Sequence, residues 1–183
     1  MSQLLLAGVV AAAERVQGRV KLQKMVYLLQ EMGFDLGYRD FVLLLYGPYS
    51  DTLAAHLDRV TGEILNESQE PTGYNVPTTG EPTKRYVYEP RTPELKDTLL
   101  GVLCDRFEGR NDDLQQRITE LNESPAPVLE LAATAVYGRA EVGLVEPGQL
   151  WEWVLSIKGH LENYVPRAKH LLAEWDEQGA FQS

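Results

Sequence analysis

Lys21-Leu22-Gln23-Lys24-Met25-Val26-Tyr27-Leu28-Leu29-Gln30, followed a short way on by Tyr46-Gly47-Pro48-Tyr49-Ser50, is the pair of segments on which the fold reading turns. In the first, apolar side chains at Leu22, Met25, Val26, Leu29 and Met32 recur at the spacing of one helical face. Gly33 is a natural helix stop. In the second, Gly47-Pro48 breaks the chain, and Ser50 is suited to cap a helix whose stripe is Leu53, Leu57, Val60 and Ile64. The run between them, Phe41-Val42-Leu43-Leu44-Leu45-Tyr46, is short and β-favouring. Bounded by Gly37 and Gly47-Pro48, it predicts a buried strand.

Upstream, residues 3–16 are apolar and alanine-rich and predict a buried helix ended by Gly18. Downstream, Pro71, Gly73, Pro77, Gly80 and Pro82 make residues 68–83 read as a loop with a mobile tip. The flanking segments 64–67 and 85–89 are then able to pair as a hairpin. Helices followed by a hairpin are the winged-helix plan, with the run at 40–46 as a third strand of the small sheet. From Thr92 the pattern is helical. Thr92-Pro93-Glu94, Ser124-Pro125 and Glu146-Pro147-Gly148 each open a helix, and Pro166 falls in the first turn of the last. The helix after Glu146 has Trp151, Val154 and Leu155 on one side and Leu150, Trp153 and Ile157 on the other, which predicts a central position. The expected fold is mainly α with a small antiparallel β element: a winged-helix-like part at 1–91 packed on a helical part at 92–183, as one continuous unit.

Hydrophobic residues make up 44% of the 183 and charged residues 24%, as in an ordinary globular chain. No apolar run approaches the ~20 residues of a membrane span. Met1–Ala13 has no basic residues before its apolar part and runs on into Glu14-Arg15. It reads as a first helix rather than a secretory leader. Cys104 is the only cysteine, so no intrachain disulfide forms, and a cytoplasmic protein is expected. The net charge is −10 and uneven: residues 1–91 carry nine basic and eleven acidic side chains, residues 92–183 eight and sixteen. An acidic surface repels phosphate backbones, which disfavours broad nucleic-acid binding.

The two opening segments resemble the YwgA-like proteins and, more distantly, the Panacea domain of SocA-like antitoxins. In those families a Leu-Gln-Lys helix with a following Tyr precedes a Tyr-Gly-Pro turn. The resemblance covers residues 19–65, and Tyr49-Ser50 after Gly-Pro brings this chain closer to the YwgA-like branch. It implies a protein that acts by protein contact, as an antitoxin or an adaptor delivering a toxin to a protease, and it attaches no catalytic residue.

The candidate partner-binding residues are Lys21, Gln23, Lys24, Tyr46 and Tyr49. Arg15 and Arg19 join Lys21 and Lys24 in a candidate basic patch, against which stands a plain solvated helix face. An alternative reading is a winged-helix transcriptional regulator, expected to be a homodimer, with Lys84, Arg85 and Arg91 touching phosphates. Its helix at 50–62 offers Arg59 but also Asp51 and Asp58, a poor set for a major groove. A third reading is a small-molecule pocket at Trp151 and Trp153. No cofactor, metal or catalytic residue is expected: His56, His160, His170 and Cys104 have no ligand spacing, and there is no Gly-rich phosphate loop. Cys104 itself reads as a buried small hydrophobe. The expected function is a non-enzymatic protein-interaction module, antitoxin-like or regulatory.

Overall fold

The computed structural model describes residues 1–75, 78, 79 and 81–181. It is mainly helical with small antiparallel sheets. Helix α1 (Ser2–Ala12) is apolar on every side and buries Leu5 to Ala12. It crosses α4 (Pro93–Arg106) closely: a Cβ on Gly8 would lie 3.1 Å from both the Leu99 carbonyl oxygen and Leu103 Cβ. A side chain there would have to push α4 away by a few tenths of an ångström.

The first helix is shorter than expected. It stops at Ala12, Glu14 takes φ +60°, and Val16–Gln17 become strand β1 rather than more helix. Helix α2 (Arg19–Glu31) follows. The run after it forms β2 (Val42–Leu44), paired with β3 (Gly47–Tyr49) in a separate two-stranded ribbon. Ser50 caps α3 (Asp51–Val60), its hydroxyl accepting from Leu53 N at 3.0 Å. Strands β4 (Leu65–Asn75) and β5 (Pro82–Pro90) form a long hairpin, and the sheet order is β1-β5-β4.

The third strand of the sheet is β1, registered Val16↔Tyr88 and Gln17↔Val87, not the run at 40–46. The segment 68–83 is largely strand, since pairing continues from Leu65↔Pro90 to Pro71↔Lys84 and resumes at Asn75↔Pro82. The expected mobile tip lies in part outside the described residues. Nor is the run Val42–Tyr46 buried: Val42 is 51%, Leu44 49%, Leu45 68% and Tyr46 57% exposed. Its apolar character suits a strand inside a sheet. A two-stranded ribbon buries only what it lays on its neighbours, and here Gly47 and Pro48 of β3 take that place.

Helix α4 is capped by Thr92, which accepts from Leu95 N. Then come α5 (Asn111–Glu123), α6 (Ala126–Ala140), α7 (Pro147–Lys158), a 3₁₀ turn (Gly159–Tyr164) and α8 (Val165–Glu177). The central helix of this half is α6, not α7. It buries Val128 through Val136 without a break and packs on α2, β3, α7 and α8. Helix α7 buries Leu150, Trp151, Val154 and Lys158 and leaves Ile157 partly exposed. One contiguous apolar cluster runs through both halves, from Leu5 and Leu22 to Leu131 and Trp175. Cys104 is exposed on α4, contrary to expectation: Leu99 and Leu103 take the buried face. No helix among the described residues is long and apolar enough to cross a membrane.

Candidate functional site

Lys24, at the middle of α2, is 1% exposed. Its ammonium donates to the Pro48 carbonyl at 2.6 Å. One position earlier Gln23, also buried, forms a two-way clamp on Ser50: Nε2 donates to Ser50 O at 2.9 Å, and Oε1 accepts from Ser50 N at 3.0 Å. From the other half of the chain, Lys158 at the end of α7 donates to the Leu45 carbonyl and to Glu130 Oε1, the latter at 2.8 Å. Thr134 Oγ1, one turn beyond Glu130 on α6, donates back to the Glu130 carbonyl at 2.7 Å. Asp40 completes the set, accepting from Ser50 Oγ and, at 2.9 Å, from Thr52 N.

The arrangement is a lock on the backbone of the β2–β3 ribbon. Two buried lysines face one buried carboxylate, and the ribbon's own carbonyls supply the remaining acceptors. Burying a charge without such partners costs several kcal/mol, so the ribbon's shape and the burial of the lysines require each other. Desolvation dominates at Lys24, lowering its pKa to about 8. Glu130 opposes that shift and Lys158 adds to it. Gly47 makes the approach feasible. Its φ is +89°, and a Cβ there would stand 3.1 Å from Lys24 Cε and 3.2 Å from Thr134 Oγ1.

What the lock holds out is apolar. The register Leu44↔Gly47 leaves Leu45 and Tyr46 as the two residues of the turn. Tight hairpin turns ordinarily take Asn, Asp or Gly. Leu45 and Tyr46 keep negative φ, and the left-handed step falls on Gly47. A leucine and a tyrosine at a hairpin tip contribute nothing to turn chemistry and cost solvent exposure of apolar surface. Strand β2 has β3 as its only partner among the described residues, so its outer edge is open.

The residues picked from the sequence are thus divided. Tyr46 is at the exposed tip, and Tyr49 is half-buried opposite Val42. Gln23 and Lys24 are interior, and their polar atoms are committed to the ribbon backbone. They leave the set of surface contacts, because α2 packs on α6 and β3 on the side that periodicity alone gives to water. Lys21 is half-buried and donates to the Asn122 carbonyl of α5. Burial and the nearby Arg85 lower its pKa. The expected basic patch is correspondingly spent. Arg15 pairs with Glu70, and Arg19 pairs with Asp58 at 2.6 Å and Glu67 at 3.2 Å. No protein-family model and no curated protein matches the chain.

The residues of the DNA-binding alternative are spread along the β4–β5 hairpin and its exit. Lys84 and Arg85 are exposed, opposite Pro71 and Glu70 respectively. Arg91 donates to the Gly62 carbonyl at 2.7 Å. The outward face of α3 carries Asp51, Thr52, Ala55, Asp58 and Arg59. Trp151 is buried in the core, and Trp153 stands against Gly138 of α6. Sequence reasoning missed Leu45, Lys158 and Glu130. A buried Lys–Glu pair 28 positions apart leaves no local pattern, and Leu45 was read as part of a buried strand with the turn at Gly47-Pro48, whereas the turn is Leu45-Tyr46 and Gly47–Tyr49 is strand β3.

Proposed function

We propose that the chain is a non-enzymatic protein-interaction module, antitoxin-like or a regulatory adaptor, that offers the β2–β3 tip to a protein partner. The observation that carries this reading is the exposure of Leu45 and Tyr46 on a ribbon whose backbone is gripped by Lys24, Gln23 and Lys158. Large apolar and aromatic side chains held rigidly in solvent are what binding hot spots are made of, because little conformational entropy remains to be lost on association. The open edge of β2 adds main-chain donors and acceptors for an extended segment of the partner. The likeness of the Leu-Gln-Lys and Tyr-Gly-Pro segments to YwgA-like and Panacea-type proteins supports the same reading, and the exposed Cys104 suits the reducing cytoplasm in which we place it. Affinity isolation of the intact protein from its host tests the proposal. Enrichment of one specific protein supports it, and recovery of none refutes it.

A DNA-binding regulator is the second reading. What supports it is the order helix, strand, helix, two-stranded ribbon, helix, hairpin with sheet order β1-β5-β4, which resembles the winged-helix plan with a ribbon inserted between its second and third helices. Against it, the helix that would enter the groove presents Asp51 and Asp58, and the basic wing residues alternate with Glu67, Glu70 and Glu89. Retardation of duplex DNA at physiological salt would favour this reading.

A further inference from the structure

The parity of the β2–β3 ribbon fixes which backbone groups face outward. The pairs are Val42↔Tyr49, Leu43↔Pro48 and Leu44↔Gly47. Proline has no N–H, so Leu43↔Pro48 is the pair without mutual hydrogen bonds, and the two flanking pairs carry them. The main-chain groups of Leu43 and of Pro48 therefore point away from the ribbon, on opposite edges. The β3 edge is closed: Pro48 offers no donor, and its carbonyl accepts from Lys24 at 2.6 Å. The β2 edge is open. Leu43 presents a donor and an acceptor there, and the strand has no second partner among the described residues. Native sheets guard such an edge with a charge, a proline or a bulge. Phe41–Tyr46 contains no charged residue and no proline, and its register runs without a shift. Val42 and Leu44, two positions apart and so on one face, are 51% and 49% exposed.

We propose that a second copy of this chain occupies the β2 edge, with Leu43 opposite its own counterpart across a two-fold axis. In that antiparallel register the two leucines exchange both main-chain hydrogen bonds. Val42 of each copy then lies opposite Leu44 of the other, at pairs without mutual hydrogen bonds, where side chains approach most closely. The exposed apolar side chains of each strand cover those of the other. The strand is thus its own complement in main chain and side chain alike, which an unrelated segment matches only by coincidence. The net charge of −10 does not oppose the contact where it forms. Charged side chains gather at the foot of β2, where Arg39 and Asp40 precede Phe41, and Glu31 and Glu141 share a cavity wall with it. The antiparallel register sets each foot beside the uncharged tip of the other copy. The two feet are about 14 Å apart along the strands, beyond the ~8 Å screening length of physiological salt. Because the β3 edge is closed, pairing ends at two copies instead of running on as a fibre. The inference rests on the same exposed ribbon as the proposed function and names what takes its edge, while Leu45 and Tyr46 stay at the ends of the paired sheet.

An interface this narrow belongs with those below about 1,200 Å², so the test is a concentration series. Sedimentation velocity of the intact protein from about 1 µM to about 1 mM is expected to show a monomer–dimer equilibrium. Val42→Glu and Leu44→Lys, each at an exposed position, should each raise the dissociation constant at least about tenfold, because each buries a charge without a partner. Mixed in equal amounts, the two variants should form a dimer again, since the register sets the new carboxylate of one opposite the new ammonium of the other. A wild type that stays monomeric throughout the series, a dimer that Val42→Glu leaves intact, or a mixture that stays monomeric overturns the inference. A monomer that still enriches one host protein overturns the inference and leaves the proposed function standing. A dimer with the rescue that enriches none does the reverse.

Discussion

Replacing Gly47 by alanine tests whether the ribbon is truly locked against α2 and α6. Two costs add. The residue sits at φ +89°, where an L side chain pays about 1–2 kcal/mol. The new Cβ would also lie 3.1 Å from Lys24 Cε and 3.2 Å from Thr134 Oγ1. Neither neighbour is free to yield, because Lys24 is held by the Pro48 carbonyl and Thr134 by the Glu130 carbonyl. Overpacking of that kind costs about 1–3 kcal/mol more. Gly62 is the matched control. Its φ is also +89°, and nothing lies within 4 Å of a Cβ built there, so Gly62→Ala pays the backbone cost alone. Urea denaturation of both variants, with the slope m checked for constancy, reads the difference directly. Gly47→Ala is expected to be less stable than Gly62→Ala by at least about 1 kcal/mol. Equal losses in the two variants would refute the close contact.

Further outcomes follow from the same geometry. Lys158→Met leaves Glu130 buried without its partner and should cost about 3–5 kcal/mol in chemical denaturation; a loss below about 1 kcal/mol would contradict burial of the pair. Lys24 titrates near 8 in the folded state and near 10.4 unfolded, so between those values the unfolded chain binds more protons and stability rises with pH. From about pH 7.5 to 9.5 the gain is about 2 kcal/mol, and Lys24→Met abolishes that part of the slope. Above about pH 10 the raised phenols of Tyr27, Tyr38 and Tyr88 act in the opposite sense, so the measurement belongs below it. Ser50→Ala removes the cap of α3 and leaves Asp40 without its hydroxyl donor, a loss of about 1–2 kcal/mol by thermal or urea denaturation.

The local signals were readable in the sequence. The stripe of α2, the caps at Ser50 and Thr92, and the proline-led starts of α4, α6 and α7 each rest on neighbours within a few positions. What the sequence hid was non-local. Strand β1 is two residues long and exists because Tyr88 and Val87, some seventy positions on, pair with it. Gln23 and Lys24 read as water-facing because charge and amide usually are. Only the carbonyls of Pro48 and Ser50, brought in by the ribbon, let them be buried. The apolar run at 41–46 is strand only over Val42–Leu44, with Leu45 and Tyr46 in the turn, and its burial was read wrongly, since hydrophobicity alone does not place a strand in the core.

Affinity isolation from the native host with three proteins in parallel bears most directly on the proposed interaction surface: the wild type, Leu45→Asp combined with Tyr46→Ser, and Asp97→Asn at an exposed position on α4 as control. Both side chains of the double variant are exposed, so its thermal midpoint should match that of the wild type. The prediction is a protein enriched by the wild type and the control and lost from the double variant. The same protein recovered equally by all three would contradict a binding role for the tip.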